Sequence, residues 1–283
     1  MTLCIGWIRK KKDKQELILA SDSYIGCADD HRFVAAPKLF PLKRGDCAIA
    51  CAGSTQYSFP VVEHLMRAME LNGPVNDRAK DFLDIVHTIE DIINLSLHEE
   101  TIKQFDSPDF TMILGGYSWR KQCFKFFIIK FNKRQKKMVA SPAPTIQGVP
   151  FAVIGNTDII GKVRGEIHNR LEEDGFKETK TVDMQPLDIL MEYIDNKEIH
   201  SIAGYPQMLK IYPFMRTLPI GVKSRTDNTI YYYGRPLLTY ETFPYPIWDL
   251  DQKKMCYMKE VVPEFAREHE EVEPLKQFNT IED

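Results

Sequence analysis

Several absences bound this chain before any motif is read. No window approaches the roughly 18 consecutive apolar residues that a membrane-spanning helix needs, so no transmembrane segment and no membrane partner is expected. Nor is there an excess of basic charge. The formal net charge is -3, from 37 Lys+Arg against 40 Asp+Glu, which gives no electrostatic reason to expect nucleic acid or an anionic surface as partner. The six cysteines (Cys4, Cys27, Cys47, Cys51, Cys123 and Cys256) form no C-x-x-C pair, and several sit inside apolar runs. They read as reduced, buried thiols of a cytoplasmic protein, and not as a disulfide framework or a zinc site. A glycine-rich phosphate loop and a His-Glu-x-x-His are missing too, so neither a cofactor nor a metal is expected. An apolar signal-peptide core is also absent, and no secretory leader is expected.

What is present is ordinary in bulk and unusual at one end. The 283 residues are 43% hydrophobic and 27% charged, enough length and apolar content for one large core. The chain opens Met1-Thr2-Leu3-Cys4-Ile5-Gly6-Trp7-Ile8, and a second apolar run follows at Leu17-Ile18-Leu19-Ala20-Ser21-Asp22-Ser23. Between them lies the charged stretch from Arg9 to Glu16, which can only be solvated, so the pair predicts a β-hairpin. If Met1 is removed, Thr2 carries a nucleophile and a base on one residue: its α-amine titrates at about 7.7–8.0, close to working pH, and can accept the proton of its own hydroxyl.

Downstream, the elements arrive in groups. Arg32 to Pro41 contains two prolines and reads as an edge or kinked extended segment. Cys47 to Gly53 reads as a fully buried strand closed by a Gly-Ser turn. One helix places Val61, Val62, Leu65, Met66 and Met69 on a face and stops at Asn72-Gly73-Pro74; another carries Phe82, Ile85, Val86, Ile89, Ile92 and Ile93. Strands follow at Asp109 to Gly116, Cys123 to Phe131, around Val139 and at Phe151 to Gly155. A second helix pair is marked by Ile159 to Leu171 and by Leu187 to Ile194, the latter with Asp183 expected as N-cap. Two last strands are expected at Gln207 to Tyr212 and Thr229 to Tyr233.

Helices in pairs between groups of hairpin strands do not fit a doubly wound parallel sheet. They fit an α+β fold of four layers, an αββα sandwich in which two antiparallel sheets pack face to face. This domain is expected over residues 1–239. From 240 the aromatic, proline-rich run Phe243-Pro244-Tyr245-Pro246-Ile247-Trp248 and a charged end read as a C-terminal arm, 240–283, that docks on its own domain or on a neighbouring subunit.

The runs Thr2-Leu3-Cys4-Ile5-Gly6, Leu19-Ala20-Ser21-Asp22-Ser23, Pro37-Lys38-Leu39-Phe40 and Cys51-Ala52-Gly53-Ser54, in that order, resemble the N-terminal half of proteasome β-type subunits, which are N-terminal-nucleophile hydrolases with the αββα sandwich. The bacterial members that lack a propeptide and begin Met-Thr, such as Anbu-type proteins and the protease subunit partnered by an unfoldase, are the most similar in look. The interval from Asp22 to Lys38 matches the family's, and only the first hairpin is longer. The resemblance implies that Thr2 attacks, that Lys38 favours the alkoxide and keeps the neighbouring amine neutral, that Asp22 fixes Lys38, and that the Gly53 N–H receives the oxyanion. It implies Gly26 and Gly53 as rims for an extended peptide, with Ala36, Cys51 and Thr55 as walls of a specificity pocket.

The C-terminal half follows the family less closely. Where the family has Gly-Ser-Gly this chain has Gly155-Asn156-Thr157-Asp158, so Asn156 stands in for the serine, with Thr157 as helix cap. For the family's second Asp/Ser pair the chain offers Asp195, Glu198, His200 and Ser201 without the family spacing. The function implied is a threonine peptidase acting on peptides or unfolded proteins, in a homo-oligomeric ring or stack with an ATP-driven unfoldase as a possible partner. The alternative from another class is a catalytically silent subunit of the same fold, serving as scaffold or binding module. A serine hydrolase built on Ser54 fails, because Cys51 to Thr55 lacks the flanking glycines of a nucleophile elbow.

Overall fold

Alternation along the first strand sets the layering. In the computed structural model, which describes residues 2–11, 14–26, 32–97, 108–196, 201–226 and 228–258, β1 (Leu3–Lys11) turns Leu3, Ile5 and Trp7 to one side, into a core shared with helices. Cys4 points the other way, into a core shared with the second sheet. Period-2 geometry requires this of any strand buried on both faces. β1 pairs antiparallel with β2 (Lys14–Ser21), placing Cys4 opposite Ser21, and the two form the predicted hairpin. Its strands, however, run on through the charged stretch expected to be a solvated connection, where Arg9 and Glu16 pair across the ladder with side chains 14% and 15% exposed.

In the second sheet, β5 (Leu39–Pro41) leads into β6 (Cys47–Gly53), which pairs with β7 (Phe110–Ser118); β8 (Cys123–Asn132) and β9 (Lys137–Pro142) complete it. A separate two-stranded ribbon joins β3 (Ile25–Gly26) to β4 (Arg32–Phe33). The first sheet takes β10 (Thr145–Ile146) and β11 (Val149–Gly155) on one side of β1, and β12 (Gln207–Tyr212), β13 (Arg216–Lys223), β14 (Ile230–Tyr232) and β15 (Arg235–Pro236) beyond β2.

Each sheet is covered on its outer face. Over the second lie α1 (Thr55–Leu71) and α3 (Phe82–Ser96), joined by the short α2 (Gly73–Asn76), with Val62, Leu65, Ile85 and Ile89 packed on Ile49 and Met112. Over the first lie α4 (Thr157–Glu173), α5 (Phe176–Thr179) and α6 (Gln185–Asp195), with Ile167 and Leu190 against Ile5 and Val153. Between the sheets, small residues let large ones in: a Cβ on Gly6 would come within 2.8 Å of the Phe126 ring, and one on Gly115 within 3.0 Å. The result is the four-layer αββα sandwich.

Three local expectations differ from what forms. β13 went unread because Pro219 and Gly221 punctuate it; in the sheet Pro219 lies opposite Leu209, and Gly221 leaves room for Phe243. The segment after residue 240 adds β16 (Ile247–Asp249), parallel to β13, and β17 (Lys254–Cys256), so up to Met258 it docks on its own domain. Asp183 does not cap α6, whose N-cap is Met184. Its carboxylate instead receives Arg9 Nε at 2.5 Å and Lys11 Nζ at 3.2 Å, and its carbonyl receives Trp7 Nε1 at 2.8 Å, tying the first hairpin to the helix layer.

Candidate active site

The β1/β2 register delivers Asp22 to the start of β1. One residue past β2, its Oδ1 accepts the Leu3 N–H at 2.9 Å and its Oδ2 accepts the Tyr24 N–H at 3.1 Å. Lys38 comes from the other sheet. It sits just before β5, and its carbonyl accepts the Cys51 N–H at 3.0 Å, which holds it against the end of β6. Its ammonium is 3% exposed and donates to Thr2 Oγ1 at 2.8 Å, to Asp22 Oδ1 and Oδ2 at 3.0 and 2.9 Å, and to the Tyr24 carbonyl at 2.7 Å. Three protons are shared among four acceptors, so the cation is fully engaged.

A lysine and an aspartate this deeply buried persist only as a mutually satisfied pair. Burial pushes the Asp22 carboxyl up, and the Lys38 ammonium and the Leu3 and Tyr24 N–H groups oppose that push. With the ammonium donating to Thr2 Oγ1, positive charge stands where an alkoxide would develop, and the hydroxyl proton is left to another acceptor.

Gln207, which opens β12, fastens this arrangement from behind. It is 1% exposed; its Oε1 accepts the Lys38 N–H at 3.0 Å, and its Nε2 donates to the Asp22 carbonyl at 3.1 Å and the Ala36 carbonyl at 2.7 Å. Ser23 makes a second tie, donating to the Val34 carbonyl at 2.5 Å and accepting the Tyr205 N–H at 2.7 Å. Beneath Thr2, Gly155 holds φ +144, and a methyl there would run into the Thr2 carbonyl oxygen. Only glycine suits that backbone and that closeness.

The remaining expected residues divide. Gly53 is exposed at the end of β6 with φ +106, and a Cβ would strike the Asp109 carbonyl. The Cys4 thiol donates to the Cys51 carbonyl at 3.3 Å, so the starts of β1 and the end of β6 meet beside it. Gly26 is exposed on the β3 ribbon, and Thr55 is half-buried as the first residue of α1. Ala36 and Cys51 do not wall an open pocket: both are buried, Cys51 within the apolar cluster under α1 and Ala36 with its backbone bound to Ser23 and Gln207. Asn156 itself caps α4, accepting the Asp158 N–H at 3.0 Å, and Thr157 is the first helical residue.

Ser201 is half-buried at the head of the turn before β12, and Asp195 ends α6, facing Arg225 at 4.0 Å. Among the described residues no hydrogen bond or ion pair joins either of them to Thr2, Asp22 or Lys38. Met1, Cys27, Glu198 and His200 lie outside the described residues. No set of three or more His, Cys, Asp or Glu among the described residues is arranged to hold a metal, and no described helix is long and apolar enough to cross a membrane.

Sequence comparison finds no matching protein-family model and no matching curated protein. Comparison of structures does find relatives. Anbu, the ancestral beta-subunit, from Yersinia bercovieri aligns with TM-score 0.50 over 77% of this chain and 86% of its own, at 14% identity. The Anbu (Gly-1) mutant from Hyphomicrobium sp. strain MC1 aligns with TM-score 0.51 over 77% and 87%, at 13% identity. The fold is that of Anbu. The proteasome-like architecture expected from the first 55 residues therefore extends through the half whose motifs diverge.

Two thiols lie near the site in sequence: Cys4, whose Sγ donates to the Ser21 hydroxyl at 3.2 Å, and Cys51, turned toward the α1 side. Burial pushes Cys4 up to about 12 and Cys51 well above the ordinary thiol range. Alkylation of the native protein at about pH 8 is expected to modify Cys123, the half-exposed cysteine among the described residues, and to spare Cys4 and Cys51. Peptide mapping checks this, and rapid labelling of Cys4 would show a thiolate that this packing does not allow.

Proposed function

We propose that the chain is a threonine-type N-terminal-nucleophile hydrolase that cleaves peptide bonds once Met1 is removed. The observation that carries this is the buried Lys38 ammonium, 2.8 Å from Thr2 Oγ1 and fixed by Asp22. In the reaction, Thr2 Oγ1 attacks the substrate carbonyl while the Thr2 α-amine accepts the hydroxyl proton. The tetrahedral oxyanion takes the Gly53 N–H, and the amine's proton passes to the leaving nitrogen as the C–N bond breaks. Water, deprotonated by the same amine, then attacks the ester, releasing the acid and restoring Thr2. No cofactor is needed for either half.

An extended peptide between the Gly26 and Gly53 rims would add a strand there. A homo-oligomeric ring or stack in the reducing cytoplasm, fed by an ATP-driven unfoldase, accords with this reading. One observation favours a silent subunit instead: among the described residues neither Ser201 nor Asp195 is hydrogen-bonded or ion-paired to Thr2, Asp22 or Lys38.

Intact mass before and after treatment with a peptide epoxyketone distinguishes the two. That reagent closes its stable ring only on a residue with both a free α-amine and a hydroxyl. The expected result is a chain lacking Met1 with one adduct, mapped to Thr2 and lost in Thr2→Ala. A chain lacking Met1 that takes no adduct would sink the peptidase reading in favour of the scaffold.

A further inference from the structure

Beside the turn of residues 201–206 a cavity of about 300 Å³ opens between the end of α6, that turn and the loop after β13. This is the lower end of the range for small-molecule sites, too small for a folded partner. Its walls are apolar and aromatic: Met191, Ile194 and Leu250, with the Tyr205 and Tyr231 rings stacked at 4.1 Å and 14°. Its rim carries one charge of each sign, Arg225 and Asp195, together with the Ser224 and Thr226 hydroxyls.

The two rim charges are loosely held. Arg225 lies 4.0 Å from Asp195 and 3.8 Å from Asp188, both longer than a hydrogen bond, while Asp188 takes its short contact, 2.8 Å, from Lys253. A half-exposed ion pair at that distance contributes little to stability, so exchanging it for ligand contacts costs little. Arg225 and Asp195 balance, so the rim is neutral overall. A lone anion would meet Asp195, and a lone cation would meet Arg225. A purely apolar guest would leave both charges without closer partners.

We propose that this cavity binds a free α-amino acid with an apolar or aromatic side chain, its carboxylate on Arg225 and its ammonium on Asp195. An amino acid carries both charges on one carbon, so it answers both groups at once and replaces one long ion pair with two charge-assisted hydrogen bonds. Ser224 and Thr226 flank Arg225 in the chain and share a hydrogen bond between their hydroxyls at 3.1 Å, which leaves one hydroxyl proton for the carboxylate. The side chain enters among Met191, Leu250 and the tyrosine stack. The site does not depend on the reaction proposed at Thr2, although the two share a wall: the Tyr205 N–H donates to Ser23 Oγ at 2.7 Å, one residue beyond Asp22.

The test is titration calorimetry with the full-length Thr2→Ala protein, so that hydrolysis plays no part in the outcome. L-Phenylalanine and L-leucine are titrated alongside N-acetyl-L-phenylalanine and L-phenylalaninamide, each of which lacks one charge. The expected result is saturable binding of at least one amino acid, weakened about tenfold or more by either cap and by Arg225→Gln or Asp195→Asn, since each change removes a charged hydrogen bond. Both side chains are on the rim, so both variants should keep the parent melting temperature. No saturable binding up to about 10 mM, equal binding of a capped analogue, or binding that survives both substitutions would each overturn the proposal.

Discussion

Replacing Lys38 with methionine should, on the peptidase reading, lower turnover by about 10³-fold or more and should cost the fold about 3–5 kcal/mol, with the larger stability loss at neutral pH. The activity loss follows from removing the charge that faces Thr2 Oγ1 at 2.8 Å. The stability loss follows from Asp22, which is wholly buried and would keep only the Leu3 and Tyr24 N–H groups as donors. Burial already pushes that carboxyl up, and losing the cation pushes it further. A carboxyl whose folded value lies above its unfolded one takes up its proton first in the folded state. Its contribution is most favourable below the unfolded value and is lost as pH rises through the folded one. Denaturation of wild type and Lys38→Met at about pH 5 and about pH 7.5 should therefore show a deficit that grows with pH. Adding Asp22→Asn should recover part of the stability and none of the activity. An equal deficit at both pH values would mean that Asp22 is not carrying an uncompensated charge.

How much of this could be read from residues alone depended on whether a position had a pattern to belong to. The helices α1 and α3 repeat their apolar residues at helical spacing, and β6 and the inner parts of β1 (Leu3 to Ile8) and β2 (Leu17 to Ala20) are apolar runs, so burial fixes them with little help from tertiary context. Thr2, Asp22 and Lys38 stand in runs with a family look, and the structure brings those three together. β13 was hidden because Pro219 and Gly221 ordinarily argue against a strand; Gly221 is needed there because Phe243, Ile247 and Ile230, all from later in the chain, pack on it. Asp183 has the look of a cap, but the first hairpin, 172 to 174 residues away, supplies Arg9 and Lys11, whose charges hold it more strongly than helical N–H groups would. Cys51 is next to the site in sequence, yet strand alternation turns it toward α1. These are long-range facts, and no local window contains them.

Gln207 is the clearest case, since a glutamine at the head of an apolar strand normally reads as a solvated strand end. Here it is buried, and one amide satisfies a donor on Lys38 and acceptors on Asp22 and Ala36, the backbone on both sides of the ion pair. Gln207→Leu fills similar space and makes none of these bonds. The Asp22 carbonyl would keep the Ser21 hydroxyl at 2.8 Å, so the Lys38 N–H and the Ala36 carbonyl are the two groups that lose their partner. Each buried backbone group left unpaired costs about 1–3 kcal/mol, so a loss of roughly 4 kcal/mol is expected, visible as a lowered denaturation midpoint. Lys38 and Asp22 would then no longer be held in fixed register, and small displacements of a catalytic group cost on the order of 10²-fold. The peptidase reading therefore expects kcat to fall by about that factor with KM little changed, because Gln207 lies behind the ion pair and away from the Gly26 and Gly53 rims. Gln207→Glu separates position from packing: it keeps the acceptor for the Lys38 N–H but turns a carboxylate oxygen toward two carbonyls, so it should lose about as much stability as the leucine. A Gln207→Leu protein that kept full kcat at the lowered stability would show that the amide supports the fold and leaves the register of Lys38 untouched.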